Sequence, residues 1–342
     1  MREPPVAGMS DALLGLVFVL GAALSLAASW LLVTRLERLG ARLSLSEALL
    51  GLLAALAADT PEITAAASAV AQQHHRIGAG VVLGSNVFNL AALLGLATVV
   101  AGRIALHRRV IELGGAVALW ICAASLAVVT GACPPPWGLA AVLAVLIPYV
   151  AMLGVRRERL RRLRLPGAWT RWLEVAIHEE ELELEVAIHP RRGHLRDAAL
   201  AALALAVVLG ASIAMERTAA KLGARHAVPE ILIGALVLAA VTSLPNAVAA
   251  VYMAARGRGA ATLSIALNSN ALNVLFGLLI VTTVAGLGPV ADSTTFVAAS
   301  YAGLTLFALA VAYRDRGLRR GAGVTIIIAY LAFAAVLVAG TV

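Results

Sequence analysis

One stretch of sequence that occurs twice decides the fold: GLLAALAADTPEITAAASAV at residues 51–70 and GALVLAAVTSLPNAVAAVYM at residues 234–253. Both are Ala-rich, apolar segments that are interrupted by a few polar residues and a proline, and Pro61 aligns with Pro245 at an offset of 184 residues. A proline within a helix removes a backbone donor, so nearby carbonyls lose their usual partner. The pair therefore predicts a duplicated helix that is interrupted at the same place in each copy.

The duplication continues into the next apolar segment of each copy. IGAGVVLGSNVFNLAALLGL at 77–96 corresponds to AATLSIALNSNALNVLFGLL at 260–279. The shared pattern is Ser-Asn-x-x-Asn, and its aligned residues, again 184 positions apart, are Ser85, Asn86 and Asn89 with Ser269, Asn270 and Asn273. A shared proline and a shared Ser-Asn-x-x-Asn at one offset are hard to obtain by chance. We therefore define repeat motifs at 46–96 and 230–280.

Composition places these repeats in a membrane. Of 342 residues, 61% are hydrophobic and only 13% charged, whereas charged residues make up about a quarter of soluble proteins. This excludes a soluble enzyme domain, a disulfide-stapled secreted module and a single-span anchor with a large ectodomain. We predict an all-α polytopic membrane protein whose ten transmembrane helices lie near 11–34, 44–70, 77–101, 110–131, 137–155, 197–215, 229–254, 260–285, 293–313 and 322–341.

The predicted spans divide the chain into two halves of five, residues 1–155 and 197–342, separated by a loop at 156–196. Because five is odd, equivalent helices of the two halves should cross the membrane in opposite directions. Such inverted repeats are typical of secondary transporters, which bind their substrates near the bilayer midplane where the repeats meet. The sequence therefore predicts alternating access to a central site.

The net charge of +8 comes from arginines in alternate loops, which indicates orientation and argues against a nucleic-acid surface. We predict a multi-pass protein of the cell (inner) membrane with both termini outside and the 156–196 loop in the cytoplasm. Within that loop, EVAIH occurs at 174–178 and at 185–189, among six glutamates. These Glu and His side chains could form a cation sensor or a lid. The interpretation we prefer is a basic stretch on anionic headgroups followed by a solvated hairpin.

Candidate ligands are concentrated in the repeat motifs. Asp59 and Glu62 lie in the middle of the second predicted span. Placing a carboxylate at this depth of the bilayer costs at least a few kcal/mol of free energy, so we expect such residues to have a function. Ser85 and Asn89 share one helix face, as do Ser269 and Asn273. Together they predict an all-oxygen shell, which selects hard cations such as Ca²⁺, Mg²⁺ or Na⁺.

Other chemistry is not indicated. The four quoted segments contain neither Cys nor His, which argues against Zn²⁺ or Cu⁺. The chain has no nucleophile triad, phosphate loop or dinucleotide fingerprint. We therefore expect no enzyme activity, no cofactor and no ATP-driven transport, and we expect another ion's gradient to supply the energy.

These motifs resemble the repeats of the cation/calcium exchanger superfamily, most closely sodium/calcium exchangers of the prokaryotic type, and the resemblance covers the whole chain. The strings Thr242-Ser243-Leu244-Pro245 and Gly84-Ser85-Asn86-Val87-Phe88-Asn89 carry it. It implies that Glu62 is the first calcium-binding glutamate and that Asn89 belongs to the central site. It also implies ligands from the backbone carbonyls of Ala55, Ala58, Ala239 and Thr242 and from the hydroxyls of Ser85, Ser243 and Ser269.

Three positions depart from the family pattern. Asn246 stands where the second repeat should carry a glutamate, and Asp59 stands where a serine is expected. Asn273 replaces an acid that is often found at the end of the second Ser-Asn string. Both carboxylates of the predicted centre therefore come from the first half.

The leading expectation is a secondary antiporter that exports a hard cation, Ca²⁺ in the first place, in exchange for Na⁺ or H⁺, with inorganic cations and the lipid bilayer as its partners. One alternative is a monovalent Na⁺/H⁺ or K⁺/H⁺ exchanger that uses Asp59 or Glu62 as proton carrier. An alternative of another class is a non-transporting ion-sensing or assembly subunit, which the missing glutamate at position 246 would suit.

Overall fold

The computed structural model of the protein describes residues 9–43, 47–154 and 194–341. The Glu- and His-rich segment at 174–189, with the interpretations placed on it, lies outside the described residues. In the first half the described elements are α1 (Asp11–Arg42), α2 (Glu47–Ala58), α3 (Thr60–Ala71), α4 (His75–Asn89), the π-helical segment π1 (Leu90–Leu96), α5 (Ala97–Ala101), β1 (Arg103–Ala105), α6 (Arg108–Val129) and α7 (Pro135–Gly154).

The second half has a similar order of helices, although its strand lies directly before the last helix. Its elements are α8 (Leu195–Arg225), α9 (Glu230–Leu232), π2 (Ile233–Leu238), α10 (Ala239–Thr242), α11 (Leu244–Ala255), α12 (Gly259–Leu272), π3 (Asn273–Ile280), α13 (Val281–Ala285), α14 (Asp292–Asp315), β2 (Gly317–Arg319) and α15 (Arg320–Ala339). β1 and β2 form a short antiparallel pair in which Arg103 faces Arg319. This pair is the one exception to an all-α chain among the described residues.

The polytopic helical architecture is confirmed. Eight helices in the described part of the chain are long and apolar enough to cross a membrane, or up to nine if the bent pair Glu230–Thr242 and Leu244–Ala255 is one span. The predicted second span, 44–70, corresponds to α2 and α3, which have 12 residues each and are not among those nine.

The offset found in the sequence recurs in the element boundaries. α1 begins at Asp11 and α8 at Leu195, which is 195 minus 11, or 184 residues later. The same difference separates α3 from α11 at both ends, and Arg108 of α6 from Asp292 of α14. The duplication therefore extends well beyond the quoted motifs.

Each repeat contains a helix break at the predicted place. Asp59 separates α2 from α3 with φ −81° and ψ −6°, and Ser243 separates α10 from α11 with φ −82° and ψ −2°. Pro61 and Pro245 then lie in the first turn of the following helix, where a missing N–H is tolerated. Each proline therefore begins a new helix within the predicted spans 44–70 and 229–254, and the second pair is bent by 48°.

Helices α1 and α8 lie side by side and run antiparallel. Asp11, at the start of α1, pairs with Arg225 at the end of α8, whereas Arg35, near the end of α1, pairs with Asp197 at the start of α8 (2.8 Å). Between these ends, the hydroxyls of two serines, Ser25 and Ser212, are 3.2 Å apart. Equivalent first helices of the two halves thus point in opposite directions.

Both helices are longer than predicted. α1 continues from position 34 to Arg42, and α8 continues from position 215 to Arg225. Apolarity alone placed the ends where charged residues begin. The charged residues remain part of the helix because the other helix, or a neighbouring one, supplies partners for their side chains, as Asp197 does for Arg35.

The two helices that carry Ser-Asn-x-x-Asn form the centre of the bundle. The span His75–Ala101 is 94% buried and Ala261–Ala285 is 72% buried, whereas the other spans are 22–39% buried. Small residues permit this packing: a Cβ added at Gly84 would lie 2.4 Å from the Cα of Ala235. Close backbone approach at Gly and Ala is how membrane helices pack in the absence of a hydrophobic driving force between them.

Candidate functional site

The two breaks place a group of polar side chains at the centre of the bundle. Asp59 and Glu62 are both fully buried. Neither carboxylate forms an ion pair within the part of the chain that the structure describes. Glu62 is held across the two halves, because the Ser243 hydroxyl at the opposite break donates to its Oε1 at 2.9 Å.

Asp59 also reaches into the second half. Its Oδ1 accepts a hydrogen bond from the Asn246 amide at 2.6 Å and another from the Ser269 hydroxyl. Position 246 is the one where the resemblance implies a glutamate. The Asp59 carboxylate therefore lies directly beside the position from which the second carboxylate is missing, although it is contributed by the other repeat.

A network of asparagines joins the two Ser-Asn strings. Asn86 and Asn270 are buried and reciprocal: each side-chain amide donates to the backbone carbonyl of the other, at 3.1 and 3.2 Å. Asn89 donates to the Asn270 side chain at 3.0 Å, and Asn273 donates to the Asn86 side chain at 3.3 Å. The network thus has approximate two-fold symmetry, which is expected where two equivalent helices cross.

Five buried side-chain oxygens around this network have no hydrogen-bond partner among the residues that the structure describes. They are Asp59 Oδ2, Glu62 Oε2, Ser85 Oγ, Asn89 Oδ1 and Asn273 Oδ1. Buried polar atoms in proteins are nearly always satisfied, so a group of unpartnered oxygens needs an explanation such as an ion or water. Carboxylate, amide and hydroxyl oxygens are the ligands that hard cations prefer. The set therefore fits the all-oxygen cation site that the sequence predicts.

The four predicted carbonyl ligands flank the breaks and are buried: Ala55, Ala58, Ala239 and Thr242. The carbonyl of Ala55 accepts the N–H of Asp59 at 2.8 Å, and that of Ala239 accepts the N–H of Ser243 at 3.2 Å. Each of these oxygens retains a second lone pair. Their role as ion ligands stays a prediction.

Among the described residues no group of three or more His, Cys, Asp and Glu side chains could hold a metal ion. Any cation at this centre is therefore coordinated by two carboxylates at most, with neutral oxygens for the remainder. This donor set suits an ion that must bind and leave again, because four or more fixed charges would retain a divalent ion tightly.

The structure adds three residues to those the sequence selected. Asn86 and Asn270 belong to the repeated strings and could have been selected, because the same offset relates them. Tyr301 is a fully buried residue of α14 whose hydroxyl lies near the side chains of Asn86 and Cys122 and interacts with both. No motif marks Tyr301, so only the packing of α14 against α4 reveals its contact with the centre.

The fold is similar to those of solved cation exchangers. The crystal structure of the H⁺/Ca²⁺ exchanger CAX aligns with a TM-score of 0.69 and 16% identity over 96% of this chain and 86% of that one. The structure of native YfkE aligns with a TM-score of 0.63 and 16% identity over 94% and 91%. The sodium-calcium exchanger NCX_Mj, soaked with 10 mM Na⁺ and zero Ca²⁺, aligns with a TM-score of 0.58 and 18% identity over 95% and 99%.

A curated sequence relative matches only a segment. A protein of Alkalimonas amylolytica with the name "Putative antiporter CaxA" is 36% identical over 84 residues. That segment is 24% of this chain and 26% of the relative's length.

The family assignment covers most of the chain. The model of the family described as "Sodium/calcium exchanger protein" matches residues 13–156 and 197–339. The matched segments begin 184 residues apart (197 minus 13), the offset that relates the two repeats and the two helix breaks. The chain therefore belongs to the sodium/calcium exchanger protein family, as a multi-pass membrane protein.

Proposed function

We propose that this chain exports a hard cation, Ca²⁺ in the first place, in exchange for Na⁺ or H⁺ at the centre formed by the two helix breaks. The observation that carries this proposal is the set of five unpartnered, buried oxygens around Asp59 and Glu62. No covalent step is needed, and we propose no enzyme activity and no resident cofactor.

Charge balance provides the exchange principle. Two ionised carboxylates carry −2, which one divalent cation or two monovalent cations neutralise. A pair of uncompensated carboxylates in a membrane interior is strongly unfavourable, so the centre should hold one set of ions or the other during transport. Because Asp59 and Glu62 would serve both sets, binding of one ion type requires release of the other, which is antiport.

The duplicated architecture supports alternating access through two inverted halves. The shared offset and the antiparallel pair α1 and α8 are what such halves require. We propose ten spans, in which α2 and α3 together form the second. Movement of α1 and α8 relative to the central helices would then expose the centre to one side at a time.

Loop contacts support the proposed two-sided topology. Arg103 pairs in register with Arg319, and the proposed topology places both of their connections, α5 to α6 and α14 to α15, in the cytoplasm. On the other side, His74, between α3 and α4, contacts Glu230, the first residue of α9, at 2.7 Å, and the proposed topology places both at the outer surface. We therefore propose insertion in the cell membrane with the termini outside and the 156–196 loop in the cytoplasm.

Tracer flux in proteoliposomes tests the function. Radioactive Ca²⁺ is loaded inside, and efflux is measured with an inward Na⁺ gradient, an inward pH gradient, or neither. Exchange requires efflux that depends on one gradient and exceeds that of protein-free vesicles. The gradient that drives efflux identifies the counter-ion. Equal efflux in all three conditions would reject antiport of Ca²⁺.

A monovalent Na⁺/H⁺ or K⁺/H⁺ exchanger is the second candidate, because the second half contributes no carboxylate to the centre. It predicts Na⁺ or K⁺ flux that depends on pH in vesicles without Ca²⁺. A non-transporting subunit predicts no flux and no thermal stabilisation of the purified protein by Ca²⁺ or Na⁺, since a ligand stabilises only a protein that binds it.

A further inference from the structure

A third carboxylate is fully buried away from the centre. The predicted span 197–215 ends just before Glu216, but α8 continues past it to Arg225, and Glu216 is 0% exposed. Its Oε2 accepts hydrogen bonds from the Ser68 hydroxyl at 2.8 Å and from the Gln72 amide at 2.7 Å. Its Oε1 is buried and has no hydrogen-bond partner in the described part of the chain.

This carboxylate lies on the outer side of the centre, between α8 and α3. Ser68 follows Glu62 by six residues on α3, which is about 9 Å along a helix. The contact therefore joins α8 to the helix that carries Glu62, one and a half turns nearer to the outer end of that helix.

The fold does not require a carboxylate at this place. The offset of 184 residues relates Glu216, Ser68 and Gln72 to Leu32, Tyr252 and Arg256 in the other half. Leu32 is buried within an apolar cluster. Because equivalent packing is achieved with leucine, Glu216 is a feature of the outer side alone.

Bases near Glu216 are engaged elsewhere or are not in contact with it. His74 pairs with Glu230, and Arg225 and His226 pair with Asp11. Arg217, the next residue of α8, acts on Glu216 through space and forms no ion pair with it in the described structure. The stretch of α1 near this level, Leu16 to Leu20, is apolar. Among the described residues the carboxylate therefore has two neutral donors and no cationic partner.

Resting on the proposed function, we propose that Glu216 is a proton-binding site outside the centre, through which protons from the outer side act on the contact between α8 and α3. One free oxygen suits a proton, whereas a metal ion of the hard class needs about six oxygen ligands. Protonation removes the negative charge and weakens the charge-assisted bonds from Ser68 and Gln72. It thereby loosens the attachment of α8 without touching Asp59 or Glu62.

Infrared spectroscopy of the purified full-length protein tests proton binding without any need for transport. The carboxylic-acid C=O band is followed while pH is raised from mildly acidic to mildly alkaline. We expect one buried-acid component to be lost in Glu216→Gln and in Glu216→Leu, which copies Leu32, and to persist in Glu230→Gln. An unchanged band in Glu216→Gln overturns the site. Loss in Glu230→Gln, with retention in both Glu216 variants, assigns the titration to the His74–Glu230 pair and overturns it as well.

The pH profile of cation flux tests the consequence. Glutamine mimics the protonated acid, so Glu216→Gln should lose the outer-pH dependence that wild-type exchange owes to this residue, while its flux at acidic outer pH stays like that of the wild type. If no variant shows flux, the exchange proposal fails while the infrared result still decides whether Glu216 binds a proton. If flux is present and its pH profile is identical in wild type and Glu216→Gln, the role in transport is rejected.

Discussion

The two halves of this protein share a backbone and differ in charge. Both have the same helix break, at Asp59 and at Ser243, with almost equal φ and ψ values. Both contribute an asparagine to the reciprocal pair Asn86 and Asn270. Yet the first half supplies both carboxylates of the centre. The comparison teaches that prolines and amides specify the duplicated fold, whereas the carboxylates of the centre need not be divided equally between the repeats.

The second carboxylate, Asp59, lies close to the position that its counterpart would occupy in the other repeat. Asp59 contacts Asn246 directly, so the negative charge lies within one hydrogen bond of the position where the family pattern has a glutamate. Two carboxylates therefore lie at the centre although the second repeat carries an asparagine at position 246. What differs is the helix that carries the second charge.

The largest effect is expected from removing the carboxylate of Glu62, which matches the glutamate of the family pattern. Glu62→Gln should abolish gradient-driven cation exchange, because one remaining carboxylate cannot neutralise a divalent ion and the Ser243 bond loses its charge. Flux in proteoliposomes measures this, and the melting temperature checks the fold. Glu230→Gln, a partly exposed acid at the outer surface, is the matched control and should transport. Flux at the wild-type level would remove Glu62 from the mechanism.

Removal of the negative charge of Asp59 should have the next largest effect. Asp59→Asn keeps an oxygen at this position but removes one unit of charge. At an effective dielectric constant of 20, two unit charges 4 Å apart interact with about 4 kcal/mol, and a divalent ion doubles this value before desolvation offsets part of it, so Ca²⁺ affinity should fall on the order of a thousandfold or more. Isothermal titration or Ca²⁺-dependent thermal stabilisation measures this. Wild-type affinity in Asp59→Asn would mean that Glu62 alone holds the ion.

Moving the second carboxylate from position 59 to position 246 tests the comparison of the two halves most directly. Asn246→Glu alone places a third carboxylate beside Asp59, and we expect it to strengthen Ca²⁺ binding while destabilising the ion-free protein. The double variant Asp59→Ser with Asn246→Glu restores the arrangement that the family resemblance implies, with two carboxylates in total. It should bind Ca²⁺ more tightly than Asp59→Asn does. If the double variant binds no better than Asp59→Asn, the two positions are not interchangeable and the relocation argument fails.

Much of this arrangement could be predicted from the sequence. The repeated proline and the repeated Ser-Asn-x-x-Asn located both breaks and the central helices, because the residue types required at a break are few. The contact of Asp59 with Asn246 and Ser269 could not be predicted, since it depends on how two segments 187 residues apart meet. Glu216 was misplaced for a related reason. A charged residue after an apolar run indicates a helix end unless a neighbouring helix supplies donors, and Ser68 and Gln72 supply them here.

The smallest effect should distinguish the two members of the reciprocal asparagine pair. Asn86→Ala and Asn270→Ala each remove two interhelical hydrogen bonds, one donated to the backbone carbonyl of the other asparagine and one accepted from the side chain of Asn273 or Asn89. Asn86 also interacts with Tyr301, whereas the equivalent of Tyr301 in the other half is Val117. A buried polar interaction contributes at most about 1 kcal/mol, so Asn86→Ala should be the less stable variant by up to that amount. Thermal unfolding in detergent compares them, with Tyr301→Phe as control. In the Tyr301→Phe background the difference should vanish, and its persistence there would show that the asymmetry of the pair arises elsewhere.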